Sequence, residues 1–188
     1  MKSPKLLLCT VMIYLPLTCF AQSPQVDNDF VHKQFGATCR IEADSGQVSV
    51  GDLNGDGIED AVIVAHCKNP LIDEAEYSFK VLDPYNASFG YSDPKVTSQF
   101  SSEDPANRGR VLLIIHGSGA EAWRANAPLS KFVVINLPFK QVGMKKLMLK
   151  KKPVQAIFAE ESGGEQNNSA LFWDGKKYRY QSLGTGLE

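Results

Sequence analysis

Past residue 21 the sequence holds no apolar run long enough to cross a bilayer, which excludes an integral helical span from the rest of the chain. It shows no basic excess either: 20 Lys and Arg face 21 Asp and Glu, so a nucleic-acid partner is not expected. Histidine is scarce, and none follows His116. There is no Gly-x-Ser-x-Gly elbow, so the strand and turn Ile114-Ile115-His116-Gly117-Ser118-Gly119 do not extend to an α/β-hydrolase triad. A zinc site is disfavoured as well. His66 and Cys67 are neighbours on an expected strand, and their side chains point to opposite faces.

Cysteine is sparse, and two of the four copies, Cys9 and Cys19, fall in the first 21 residues. That segment opens with Lys2 and Lys5, runs apolar from Leu6 to Phe20 and ends on Cys19-Phe20-Ala21, the plan of a secretory signal peptide. Residues 1–21 are therefore expected to be a signal peptide. Residues 22–188 are expected to form a single domain with its own core, secreted or periplasmic. In an oxidising compartment the remaining pair, Cys39 and Cys67, is expected to form a disulfide. The bridge would close a loop of about 29 residues and contribute roughly 3.6 kcal/mol on chain-entropy grounds.

Inside that loop lies the stretch Val50-Gly51-Asp52-Leu53-Asn54-Gly55-Asp56-Gly57-Ile58-Glu59-Asp60. Oxygen-bearing side chains stand at positions 1, 3, 5 and 9 counted from Asp52, and the glycines supply the left-handed backbone that lets a loop curl around an ion. Calcium takes six to eight oxygens. Asp52, Asn54, Asp56 and Asp60 can supply side-chain oxygens, and the Ile58 carbonyl can add one from the backbone. An EF-hand is excluded, because position 12 is Ile63 rather than Glu and the flanks read as strands. The pattern between two strands resembles the calcium loops of FG-GAP/VCBS-type repeats, over roughly Gln47 to His66. The resemblance implies calcium held by Asp52, Asn54, Asp56, the Ile58 carbonyl and Asp60. The motif occurs once, so a propeller of repeated blades is not implied. Asn-Gly and Asp-Gly also suit a plain hairpin turn.

Periodicity predicts a mainly β fold of antiparallel sheet and hairpins, with one or two short helices. One helix is expected from Asp29, as cap, to Phe35, ended by Gly36. A second is expected to open on Ser118-Gly-Ala-Glu121 as a capping box. Strands are expected at Thr38–Glu42, on both sides of the calcium loop, from Glu76, at Val111–Ile115, Lys131–Leu137, Leu147–Leu149 and Val154–Ala159. A final hairpin turns at Asp174-Gly175. Residues 83–110 read as a turn-rich loop whose aromatics either anchor it to the core or bind a partner.

Lys145, Lys146, Lys150, Lys151 and Lys152 fit an edge strand guarded against pairing, or a site for an acidic polymer or anionic lipid. Trp123-Arg124 fits a core Trp with its Arg laid over it, or a binding anchor. These features point to a non-catalytic calcium-binding β module with a protein or glycan partner. The alternatives are a small secreted hydrolase using Glu160, Glu161 and Glu165, or a structural envelope protein.

Overall fold

A computed structural model describes residues 26–42, 48–90, 108–160 and 168–184. The expected signal peptide, the turn at 43–46, most of the 83–110 loop, and Glu161 and Glu165 lie outside the described residues.

The fold is mainly β, in two sheets. The first contains β1 (Cys39–Ile41), β2 (Ser49–Gly51), β3 (Asp60–Cys67), β4 (Lys80–Leu82), β5 (Arg110–His116) and β6 (Ser130–Val134), in the order β1-β3-β5-β6-β4. β2 and β1 share one edge of β3, pairing with Asp60–Val62 and Ala65–Cys67 respectively. All pairs are antiparallel except β4 with β6, which is parallel. The second sheet is a meander of β7 (Gln141–Leu149), β8 (Lys152–Glu160), β9 (Asn168–Trp173) and β10 (Tyr178–Gly184).

β3 and β5 are near-continuous apolar runs because both their faces are buried. Ala61, Ile63, Leu113 and Ile115 face one way, onto Val31 and Phe35 of helix α1 (Asn28–Phe35) and onto Trp123. Val62, Val64, Leu112 and Ile114 face the other way, onto Ile157, Leu171 and Tyr178 of the second sheet. The result is three layers with two apolar cores, one on each side of β3. Cys39 and Cys67 are directly opposite in the β1–β3 register and are bonded, with both side chains inside the core.

Local chemistry explains where the chain departs from expectation. α1 is capped by Asp27, whose carboxylate accepts the Phe30 N–H at 2.8 Å, and not by Asp29. Two further helical turns, α2 (Pro70–Asp73) and α3 (Pro84–Ser88), start at Asn69-Pro70 and Asp83-Pro84, where a cap residue precedes Pro at the first helical position. The Ser118 box does not form. Ser118 Oγ donates to the Ala127 carbonyl, and the segment Gly119–Arg124 is a 3₁₀ turn broken at Ala122 (φ 54°). The strand from Glu76 shrinks to β4, since Ser78 adopts φ 53° just before it.

Candidate metal centre

β2 and β3 end in register at Gly51 opposite Asp60, so residues 52–59 form the closed end of a hairpin. Gly55 and Gly57 sit at φ 80° and 84°, as the curl requires, with nothing near the place a Cβ would occupy. Asp52 lies at the loop entrance. Its Oδ1 accepts the N–H groups of Gly55 (2.7 Å) and Asp56 (3.1 Å), and its Oδ2 accepts that of Gly57 (2.9 Å). Asn54 Oδ1 also accepts the Asp56 N–H, and Asn54 Nδ2 donates to Asp56 Oδ2, both at 2.9 Å. Asp56 Oδ1 accepts the Ile58 N–H at 2.8 Å. Asp60 Oδ2 accepts from Leu53 (2.8 Å) and Asn54 (3.2 Å). Every backbone N–H from Leu53 to Ile58 thus donates to one of four side chains, Asp52, Asn54, Asp56 or Asp60.

Asp60 differs from the other three in being fully buried. Its Oδ1 accepts the Gly117 N–H at 2.8 Å, which pins the loop to the end of β5. Burial pushes its carboxyl up to about 6, with the Asp56 charge adding to the rise and the amides of Gly117, Leu53 and Asn54 opposing it. Gly117 admits no side chain. A Cβ there would run into the Glu59 carbonyl and lie 2.7 Å from Ala122 C and 2.8 Å from Trp123 N.

Beneath the loop an aromatic cluster surrounds His116. Its Nε2 is hydrogen-bonded to Tyr178 Oη at 2.8 Å and its Nδ1 to Ser130 Oγ at 3.1 Å, and its ring meets those of Phe132 and Trp173 edge-on. Burial lowers His116 to about 4, against a smaller opposing pull from Asp56 and Asp52. The Tyr178 hydroxyl is held well above its usual value by burial and by the Asp60 charge. His116 is therefore neutral near pH 7 and serves as a buried joint between the two sheets. Nothing in the spacing of His116, Ser130 and Tyr178 announces this cluster, because the contact is made across strands far apart in the chain.

The donor chemistry of the loop fits a hard divalent cation: three carboxylates, one amide oxygen, and lone pairs left over after the hydrogen bonds above. In the arrangement present, those oxygens are turned onto the loop amides. Among the described residues no three His, Cys, Asp or Glu side chains gather closely enough to hold a metal. Beside the loop opens a cavity of about 350 Å³, between Asp52 and Asn54 on one wall and Lys146, Gln155 and Trp173 on the other.

The other candidates resolve as follows. β7 is an edge of the second sheet, and it carries Lys145 and Lys146. Lys150 and Lys151 make the tight turn to β8, both at positive φ (47° and 70°). Trp123 is buried with Arg124 stacked 4.2 Å from its ring, the core arrangement. Glu160 is hydrogen-bonded by Gln141 on the neighbouring strand. Tyr85 packs edge-on against Tyr180, an anchor to the second sheet. No known protein family, curated protein or solved structure matches the chain.

Proposed function

We propose that the protein is a non-catalytic, calcium-stabilised β module that works outside the cytoplasm and binds a protein or glycan partner. One observation carries the calcium reading: six consecutive backbone N–H groups are turned onto four oxygen-bearing side chains, and the most buried of these, Asp60, holds its charge in the core without a counter-ion among the described residues. Three anionic side chains within nine residues repel one another, and a divalent cation removes that repulsion. Asp52, Asn54, Asp56, Asp60 and the Ile58 carbonyl would hold the ion. It would supply charge neutralisation and stiffening of the hairpin, not a reaction step. The cavity beside the loop, with Trp173 on its wall, is where a partner would meet the braced surface.

Calorimetric titration of the mature chain with calcium tests the reading. The expected result is one saturable site, together with a melting temperature that falls on chelation. A flat titration at millimolar calcium, with a melting curve unmoved by chelator, would leave the loop as a turn only.

A further inference from the structure

At the far end of β3 from the loop lies a second concavity, of about 670 Å³, whose walls carry His32, Arg40, His66, Lys68 and Arg108. No acidic side chain is among the described residues lining it. The strand register assembles this group. Arg40 of β1 stands opposite His66 of β3, and His66 stands opposite Arg110 of β5. Just beyond, the Lys68 N–H donates to the Thr38 carbonyl and the Cys67 N–H to the Gly109 carbonyl, which brings Lys68 and Arg108 alongside one another. Cys39–Cys67 fixes β1 to β3 at this point, so the backbone that carries Arg40 and Lys68 is tied covalently.

Glu42 offsets part of this charge. Its Oε2 accepts from Arg110 at 2.9 and 3.0 Å, and its Oε1 lies 3.7 Å from His66 Nε2. Arg40, Lys68 and Arg108 have no carboxylate partner among the described residues. In a chain with net charge −1, a concave wall of cations without carboxylate partners among the described residues is a segregation of charge, and a concave surface concentrates the resulting field. Two guanidinium groups and an ammonium lining one concavity are the donors that suit the planar or tetrahedral oxygens of an oxyanion. The volume lies in the range of small-ligand sites.

We propose that this groove binds an oxyanion-bearing ligand, a phosphoryl or carboxylate group, through Arg40, Lys68 and Arg108. The site is separate from the calcium loop and does not depend on it. Inorganic phosphate and citrate, titrated separately at low ionic strength into the mature chain after it has been stripped of calcium by chelator and desalted, serve as probes. Binding is followed by calorimetry and by backbone amide chemical shifts. The expected result is saturable binding of at least one probe, with shifts centred on residues 38–40, 66–68 and 108–110. Tighter phosphate binding points to a phosphoryl ligand, and tighter citrate binding to a carboxylate. Lys68→Gln and Arg108→Gln should each weaken binding about tenfold, the usual worth of one charge-assisted hydrogen bond. The pair Lys150→Gln and Lys151→Gln, on the opposite sheet, should leave it unchanged. Saturation by neither probe would overturn the proposal, and so would equal loss in the Lys150/Lys151 pair. Should a groove variant fail to melt cooperatively, the wild-type shift map decides. Shifts scattered over all surface lysines overturn the proposal, and shifts confined to the groove uphold it.

Discussion

The carboxylate of Asp60 accepts the backbone N–H of Gly117 across 57 positions of sequence, at 2.8 Å. With its other oxygen it accepts from Leu53 and Asn54, so one buried side chain joins the loop, the start of β3 and the end of β5. The disulfide performs the corresponding task at the other end of β3, and the central strand is held at both ends.

Gly117 should be intolerant of any side chain. Gly117→Ala must displace the backbone of Glu59, Ala122 or Trp123, and with it the Asp60 hydrogen bond. A loss of about 3 kcal/mol or more is expected in urea unfolding, in the range of backbone strain plus a broken buried hydrogen bond. Gly143→Ala, where a Cβ meets nothing within 4 Å, should change stability by less than about 1 kcal/mol.

Calcium dependence should follow the ligand pattern. Chelation is expected to lower the wild-type melting temperature by about 5 °C. Asp56→Ala should start lower in calcium and show little further response to chelator. Glu59→Ala, which alters an exposed carboxylate outside the pattern, should respond as the wild type does. Differential scanning calorimetry of the three proteins gives the comparison.

Acid should withdraw the contribution that His116 makes to stability. Its folded value of about 4 lies below the ordinary 6.5, so between those values the unfolded chain takes up a proton that the folded protein refuses. Its contribution is fully present above about pH 6.5 and is lost as pH falls toward 4, on the order of 3 kcal/mol in total. Asp60, raised to about 6, acts in the opposite sense over much of the same interval, so the readout is the stability of the wild type minus that of His116→Gln in urea unfolding, which should fall by that amount between about pH 6.5 and 4. A constant difference would assign the acid sensitivity to other groups.

Cys39 and Cys67 should give no reaction with a thiol reagent in denatured, unreduced protein. Replacing both by Ala should lower stability by roughly 3.6 kcal/mol, less whatever residual order the open chain retains.

The two central strands were legible in the sequence because burial on both faces leaves an unbroken apolar run, as in Val111–Ile115. The last hairpin and the disulfide were legible for equally local reasons. β7 was read from its last three residues only. Lys145, Lys146 and Gln141 break the apolar alternation, as an edge strand with one face in solvent permits. Asn69-Pro70 and Asp83-Pro84 begin α2 and α3, which the apolar pattern does not announce, since a cap followed by Pro both stops one element and starts another. The β4–β6 parallel pairing and the His116–Tyr178 contact depend on residues 50 or more apart, and no local pattern carries them. In the loop, the sequence showed which residues carry oxygen. It did not show that Asp60 would be drawn into the core and tied to Gly117.

The bond between Cys39 and Cys67 makes residues 39–67 a covalent ring, and the exposed bend at Gly55 and Asp56 lies inside it. A single cut by a protease at that bend opens the ring into a line but frees neither piece. α1, β1 and β2 stay attached to everything that follows. β2 remains beside β3, where it can pair again. For a chain expected to be secreted or periplasmic, scission at this turn is a nick in one molecule, not a separation into two.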